Sequence, residues 1–237
     1  MTDIRILYED DQIIIVDKPA GIPTHQLKPD ETGTVVNFLI DHVPHIKGVG
    51  TSIFMSGIAH RLDTDTSGIV LAAKDNASFQ EIRVQFKEQV IYKGYRTLVH
   101  GIFEGPNTIS NFIGPHPRKK KKVVVYQNPK KKARSAETDV LERNCYGDYT
   151  WLTLRIKTGV RHQIRAHLSS LGFPIVGDRL YQNVEMRKRN QLGLNRQFLH
   201  AYRIGFYHPK SKDWVVFESE LPAELEGALA SLRHEKS

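Results

Sequence analysis

The sequence predicts an α+β fold built around a large mixed sheet, with helices placed irregularly between the strands. Strand-like segments rich in β-branched and aromatic residues dominate the middle of the chain. Helical spacing of apolar residues recurs only at isolated places, which argues against a regular series of strand–helix–strand units. No internal repeat and no linker-like segment divides the 237 residues, so we expect a single domain over residues 1–237.

Two short strands open the chain, and a helix and a buried strand follow them. Residues 4–8 and 12–17 carry the apolar pattern of strands on either side of a polar turn. Thr34 is placed to cap a helix over residues 35–43, where apolar side chains recur at helical spacing. The continuous apolar run 68–73 is typical of a strand that is buried on both faces.

The rest of the chain predicts further strands with single helices between them. Asp75 or Asn76 is expected to cap the next helix. Residues 198–208 and 213–218 predict a closing hairpin, and residues 222–233 a final helix. The strands predicted between these parts are residues 90–99, 108–113, 122–127, 136–142 and 150–157.

A further helix is predicted over residues 160–171, and Thr158 is its expected N-cap. Arg161 and Arg165 are four residues apart, so we expect them to share one face of this helix. Another face of the helix is apolar and is expected to pack against the core. Its residues are Val160, Ile164, Leu168 and Leu171.

The positive charge of the chain is concentrated in one segment. The net charge is +8, and no acidic residue lies between Glu104 and Glu137. A concentrated cationic segment attracts a polyanion and releases its counterions on binding, although a solvated basic loop is the alternative interpretation. We refer to residues 118–134 as the basic segment. Its cationic residues are Arg118, Lys119, Lys120, Lys121, Lys122, Lys130, Lys131, Lys132 and Arg134.

Three features of the sequence bear on where the protein resides. No apolar run approaches the ~20 residues that cross a bilayer. The N-terminus lacks the basic-then-apolar pattern of a signal peptide. The single cysteine, Cys145, fits a reducing compartment. We therefore expect a cytoplasmic protein, with a monomer as the default state.

The segment before the apolar run 68–73 holds the densest group of candidate catalytic side chains. It places Asp63 and Asp65 beside His60 and Arg61. Two carboxylates so close together raise the possibility of a metal site or a glycosidase dyad, but further ligands at the spacing of a metal site do not follow. Phosphate-binding loops and a serine-hydrolase elbow are also absent from the sequence. A carboxylate that acts without metal remains, and an ionised Asp serves as nucleophile or base.

Several blocks of the sequence, in order, resemble the signature segments of the RluA-type pseudouridine synthases. HRLDTDTSG at residues 60–68 resembles the H-R-L-D-x-x-T-S-G signature. TGVRHQIRAHL at residues 158–168 resembles T-G-R-x-H-Q-I-R-x-H-L, with Val160 in place of the usual arginine. The other blocks that resemble this family are residues 6–25, 93–101, 172–181 and 198–209.

The resemblance implies the pseudouridine synthase fold, with a mostly antiparallel sheet, and isomerisation of specific uridines in ribosomal or transfer RNA. It implies no cofactor and no metal. Asp63 matches the catalytic carboxylate of the family, Tyr95 the tyrosine that stacks on the uracil, and Arg165 the arginine that pairs with the carboxylate. Whether Asp63 attacks the sugar, attacks the base or removes a sugar proton stays open.

The resemblance also implies residues that contact the RNA substrate. Arg61 matches an arginine that enters the gap left when the target base flips out, and His60 and Arg161 are further RNA-binding candidates. Ile164 and Leu199 are expected to form the apolar wall of the uracil pocket. The basic segment lies where such enzymes carry an RNA-gripping loop, and the apolar run in its middle predicts a hairpin at about residues 115–135 that is mobile without RNA.

Two alternative functions remain open. The first is a non-catalytic RNA-binding protein on the same fold, which the retention of Asp63, Tyr95 and Arg165 argues against. The second is a metal-free glycosidase or nuclease that uses Asp63 and Asp65. Many family members carry an N-terminal S4-type RNA-binding domain. Because the opening block begins near Ile6, we expect no such domain here. Substrate selection is then expected to rest on the catalytic domain and its basic segment, with the 183–197 loop and the C-terminal helix as further candidates.

Overall fold

The computed structural model describes residues 3–26, 30–189 and 191–234. These residues form ten strands and five α-helices. The strands are β1 (Arg5–Glu9), β2 (Ile13–Lys18), β3 (Ser67–Ala73), β4 (Tyr92–His100), β5 (Thr108–Pro115), β6 (Val123–Tyr126), β7 (Arg134–Tyr146), β8 (Tyr149–Ile156), β9 (Leu199–Tyr207) and β10 (Trp214–Glu218). The α-helices are α1 (Val35–His42), α2 (Asn76–Lys87), α3 (Gln163–Ser170), α4 (Val184–Arg189) and α5 (Ala223–His234). Two short 3-10 helices span Pro44–Ile46 and Ile53–Met55.

The chain divides into two compact units. The first unit comprises Met1–Lys93 and Ala201–Glu220, and the second comprises Gly94–His200 and Leu221–Ser237. Two of the boundaries fall inside strands, one within β4 and one within β9. The expectation of a single domain stays a prediction.

The first unit is built on the strand order β1-β2-β3-β9, with β10 beside β9. The pairs β1–β2, β2–β3 and β9–β10 are antiparallel. Every residue of β3 is buried, as its continuous apolar run predicts. Thr34 caps α1 through a capping box with Asn37, and Asp75 caps α2 by accepting the Ser78 amide, so both predicted helix starts are confirmed.

Gly68, the second residue of β3, lies at a point where two strands approach each other closely. Its φ is +117°, a conformation that residues with a Cβ rarely adopt. A Cβ at this position would lie 2.2 Å from the carbonyl oxygen of Ala201 on β9. The glycine of the H-R-L-D-x-x-T-S-G signature is therefore required by the backbone, and it sets where the loop before β3 joins the sheet.

The second unit follows the strand order β4-β8-β7-β5-β6. The pairs β4–β8, β7–β8, β5–β7 and β5–β6 are antiparallel. A buried cluster packs β5, β6 and β7 against α3 and the loop that follows α3, through Ile113, Val123, Ala136, Ala166 and Tyr181. The basic segment thus contains the edge strand β6, and its lysines lie in the turns on either side of that strand.

The predicted helix over residues 160–171 is wrong at its N-terminal end. α3 begins at Gln163, because His162 has a left-handed backbone with φ +52°. Thr158 does not cap the helix: its hydroxyl donates to Gln163 Oε1 at 2.8 Å and accepts from the Glu137 amide at 2.9 Å. Arg161 therefore precedes the helix and cannot share a helical face with Arg165. Leu171 follows the last turn and is exposed, so it is not a core residue.

The α+β class is confirmed, and the predicted strands are present with ends displaced by a few residues. Composition located β4, β6 and β8 correctly because these strands are rich in β-branched and aromatic side chains. The closing hairpin and the final helix are present as β9, β10 and α5. Within the described ranges, no helix is both long and apolar enough to cross a membrane.

Candidate active site

The loop that carries Asp63 lies in the first unit, directly before β3. Asp63 is partly exposed, and its carbonyl accepts the Thr66 amide at 3.0 Å to close a turn. Asp65 is exposed within this turn, and Arg61 is exposed at its start. Leu62 points inward and is buried. Asp63 thus lies directly before a fully buried strand, and its side chain is partly exposed.

Lys18, at the end of β2, fixes the residue that follows Asp63. Its side chain is fully buried, and its ammonium donates to the carbonyls of Pro19 at 2.8 Å, Ile22 at 2.8 Å and Thr64 at 2.9 Å. A buried ammonium is tolerated when hydrogen bonds replace its water, and an ammonium has three hydrogens to donate. The Gly21 amide donates to the same Thr64 carbonyl at 3.0 Å.

Thr24 fixes the residue that precedes Asp63. Its buried hydroxyl donates to the Leu62 carbonyl at 3.0 Å and accepts from the Leu62 amide at 3.1 Å. The two bonds place one hydroxyl against both backbone groups of a single residue. We call residues 18–24 the clamp, because they hold the backbone on both sides of Asp63.

Sequence patterns did not reveal the clamp as a functional feature. Its residues lie in the block 6–25 that resembles the family, but that resemblance assigned no role to Lys18 or Thr24. The available signal was a lysine that directly follows an apolar strand and precedes Pro19, where a solvated lysine is not expected.

His60 holds the other end of the loop. Its Nε2 accepts the Leu71 amide of β3 at 3.0 Å, so the neutral ring carries its proton on Nδ1. Burial, with the Lys93 ammonium as a smaller cause, lowers the pKa of His60 to about 3. The imidazole is therefore uncharged near neutral pH and supports the loop against β3. An RNA contact by His60 stays a prediction.

Arg165 lies in the second unit, on α3, and is tied to a buried carboxylate. Its Nε donates to Asp178 Oδ2 at 2.7 Å and its NH2 to Asp178 Oδ1 at 3.0 Å. Asp178 is fully buried, and its Oδ1 also accepts the amides of Leu180 and Tyr181. The bidentate pair fixes the plane of the guanidinium. The expected ion pair of Arg165 with Asp63 joins residues of different units and stays a prediction.

Asp178 was also missed, although the block that contains it was recognised. Its spacing of 13 residues from Arg165 follows no helical or strand period, so a pattern search has no reason to pair the two. An aspartate in a turn-rich loop is normally interpreted as a turn residue.

The remaining predicted pocket residues are buried in the second unit. Tyr95 lies on β4 opposite Leu154 of β8, and it is almost fully buried. Ile164 on α3 and Leu199 at the start of β9 are buried as well. Their apolar environment agrees with the wall of a base-binding pocket, and that role stays a prediction.

The lysine turn, Lys119–Lys122, connects β5 to β6 and presents Lys119, Lys120 and Lys121 to solvent. Its backbone is closed by a bond from the Lys122 amide to the Lys119 carbonyl at 2.9 Å. Arg161 donates to the Lys121 carbonyl at 3.0 Å, so its guanidinium supports the backbone of the turn. The other lysines of the basic segment, Lys130, Lys131 and Lys132, are exposed between β6 and β7.

In the part of the chain that the structure describes, no three His, Cys, Asp or Glu side chains form a group that could hold a metal ion.

The family model described as RNA pseudouridylate synthase matches residues 12–170. This chain belongs to the RluA-type RNA pseudouridine synthases. It is 37% identical over 233 residues to an uncharacterised RNA pseudouridine synthase of Synechocystis, covering 97% of this chain and 69% of that protein. It is 35% identical over 241 residues to the ribosomal large subunit pseudouridine synthase D of Neisseria meningitidis serogroup A, covering 98% of this chain and 62% of that protein.

A solved structure shares the fold of this enzyme. Human RNA Pseudouridylate Synthase Domain Containing 4 superimposes with a TM-score of 0.73 at 22% identity, covering 97% of this chain and 93% of that one. The pseudouridine synthase fold implied by the sequence motifs is therefore confirmed. The family model and the named relatives show that the enzyme is an isomerase that acts on RNA.

The clamp predicts a specific sensitivity at Thr24. Thr24→Val keeps the shape of the side chain but leaves the amide and carbonyl of Leu62 buried without their partner, so we expect the free energy of unfolding to fall by about 1–3 kcal/mol. Thr24→Ser keeps the hydroxyl and loses one methyl group, at a cost of about 1 kcal/mol. Urea denaturation of the two variants measures the difference. Equal stability of the valine and serine variants would contradict the clamp.

Two buried histidines predict acid sensitivity. The pKa of His60 is lowered to about 3 and that of His167 to about 4, both mainly by burial, whereas both titrate near 6.5 in the unfolded chain. Between pH 6.5 and about pH 4, both histidines are protonated in the unfolded chain and neutral in the folded chain. The free energy of unfolding therefore falls as the pH drops towards 4, by about 1.4 kcal/mol per pH unit for each histidine.

Urea unfolding between pH 7.5 and pH 5 tests this slope. His167→Gln should reduce the slope, whereas His45→Gln, at an exposed position, should leave it unchanged. The wild-type slope in both variants would rule out His167 as a source of the pH dependence.

Proposed function

We propose that this enzyme converts specific uridines of RNA to pseudouridine with Asp63 as the catalytic carboxylate. The observation that carries the proposal is the clamp: Lys18, Gly21 and Thr24 hold the backbone of Leu62 and Thr64, and leave the Asp63 side chain partly exposed between them. A carboxylate on a prearranged backbone loses little conformational freedom when it meets its substrate, which favours catalysis.

The proposed reaction breaks the glycosidic bond of uridine, turns the uracil within the pocket and joins C5 of the base to C1′ of the sugar. The proton that leaves C5 balances the one gained at the released nitrogen, so the reaction needs no redox partner. Asp63 supplies the carboxylate, and Arg165 is proposed to keep it ionised, since a neighbouring guanidinium favours the charged form of an Asp. Tyr95 is proposed to stack on the uracil, with Ile164 and Leu199 as the apolar wall.

Access to the target base is proposed to follow base flipping. Extruding a base costs a few kcal/mol, and contacts of cationic side chains with phosphates supply much of the affinity that offsets it. Arg61 lies two residues before Asp63 and is exposed, which supports its proposed role of entering the gap that the flipped base leaves. The lysine turn and Lys130–Lys132 are proposed to bind the RNA backbone, with His60 and Arg161 contributing at its edge.

We propose ribosomal RNA of the large subunit as the substrate class, with transfer RNA as the alternative. The name of the Neisseria relative, a ribosomal large subunit pseudouridine synthase, supports this choice. The exposed thiol of Cys145 supports a reducing compartment, and we propose that the enzyme works in the cytoplasm as a monomer.

Asp63→Asn tests the proposed catalytic role. The amide keeps the size of the side chain and removes its negative charge, so we expect no pseudouridine formation while RNA binding stays within about threefold of the wild type. The measurement is carbodiimide mapping of pseudouridines in ribosomal and transfer RNA from cells that lack the gene and are complemented with each variant. Asp65→Asn, two residues away and exposed, is the matched control and should restore every site. An active Asp63→Asn variant would refute the role of this carboxylate.

The lysine turn predicts a change in the salt dependence of RNA binding. Replacement of Lys119, Lys120, Lys121 and Lys122 by Ala should weaken binding and flatten the plot of log K against log salt, by about 0.7–0.9 for each phosphate that no longer meets a lysine. Replacement of the same residues by Arg keeps the charge and should keep the slope. Fluorescence anisotropy at several salt concentrations measures the slopes. An unchanged slope in the alanine variant would show that this turn does not bind phosphates.

A further inference from the structure

We propose that Tyr181 is a positioning residue that couples the lysine turn to Arg165, so that RNA bound on the turn sets the guanidinium for the reaction. The inference rests on the proposed function and deepens it, because it makes the basic segment part of the catalytic step and not only of binding. Every contact that supports it lies within the second unit.

The hydroxyl of Tyr181 joins three parts of the second unit. It accepts the Val123 amide at 3.1 Å, donates to the Val123 carbonyl at 3.2 Å and lies 3.2 Å from His162 Nδ1. A phenol has one hydrogen and two lone pairs, so these three contacts use its full capacity, with His162 as the second donor. Val123 directly follows the lysine turn, and His162 directly precedes α3, the helix that carries Arg165.

The ring of Tyr181 is shared by two cations. Lys122 Nζ, from the lysine turn, lies 4.6 Å from the ring centroid, and the Arg165 guanidinium carbon lies 5.2 Å from it. Asp178, which holds Arg165 in a bidentate pair, also attracts Lys122 electrostatically. Lys122 and Arg165 therefore interact with the same ring and the same carboxylate. When a phosphate of the RNA attracts Lys122 away from them, Arg165 becomes the only one of the two cations that contacts the Tyr181 ring and Asp178.

A second tether runs beside the first. Arg161 donates to the Lys121 carbonyl at 3.0 Å, one residue before His162. His162 itself is held at φ +52°, a strained conformation for a residue with a Cβ, costing about 1–2 kcal/mol. Such strain persists only where surrounding contacts impose it, and the bond to Tyr181 is one of the contacts of His162. Movement of the lysine turn is thus transmitted to the residue at which α3 begins.

A double-mutant cycle on the rate of the bound complex tests the coupling. Tyr181→Phe removes the three hydroxyl contacts and keeps the ring. The turn variant replaces Lys119, Lys120 and Lys121 by Ala and keeps Lys122, which touches the ring. Single-turnover rate constants are measured at saturating RNA, where differences in affinity no longer contribute. Each single change should lower the rate constant by about five- to tenfold, and the combination should lower it no further.

Further readouts separate coupling from a structural role or a folding defect. The exchange rate of the Val123 amide should fall on RNA binding in the wild type and not in Tyr181→Phe. Arg161→Met cuts the second tether at an exposed side chain, and it should show the same lack of additivity with the turn variant. This variant keeps the inference testable if Tyr181→Phe does not fold.

Two other outcomes are distinguishable. If the wild type is active and the rate losses of the two changes multiply in the double variant, the coupling is overturned and the proposed function is not. The same holds if the turn variant keeps the full rate constant at saturating RNA. A wild type that forms no pseudouridine in any of the mapped RNAs overturns the proposed function, and the coupling with it.

Discussion

The ammonium of Lys18 is the interaction on which the candidate active site depends. A cation removed from water is costly, and three backbone carbonyls replace its hydration here. Those bonds bend the chain after β2 into the clamp and carry it to Thr64, 46 residues further along the sequence. Thr24, at the end of the same loop, then secures Leu62. Asp63 lies between two residues whose backbone is fixed by side chains and by the Gly21 amide, which is the kind of support a precisely placed catalytic group requires.

In the second unit, too, a buried charged group fixes a candidate site residue through hydrogen bonds. Asp178 holds Arg165 by two parallel hydrogen bonds and is itself held by the amides of Leu180 and Tyr181. Tyr181 then connects this pair to β6 and to the lysine turn. The guanidinium proposed to support the chemistry and the lysines proposed to bind the RNA backbone are therefore parts of one packed network, not separate surfaces.

The sequence predicted most of the fold because its signals are local. A continuous apolar run located β3, and β-branched and aromatic residues located β4 and β8. Side-chain caps located the starts of α1 and α2. The start of α3 was predicted wrongly for the same reason. Val160 continues the apolar spacing of the helix, but the Gln163 side chain accepts the Val160 amide and His162 turns to positive φ, so the backbone leaves the helix there. The spacing of apolar residues cannot reveal a side chain, such as that of Gln163, that accepts a backbone amide three residues earlier in the chain.

The candidate site was predicted in part. Motifs indicated Asp63, Tyr95 and Arg165, whose catalytic roles stay predictions. Lys18, Thr24 and Asp178 became recognisable only once burial was known, because their partners lie outside any helical or strand period. The central claim is that the Asp63 loop is ordered before RNA binds. Native-state hydrogen exchange of the Leu62 amide in the RNA-free enzyme tests it most directly. The clamp predicts exchange at least about a hundredfold slower than in an unstructured peptide, comparable to the amides of β3. Exchange at the rate of an unstructured peptide would contradict that claim.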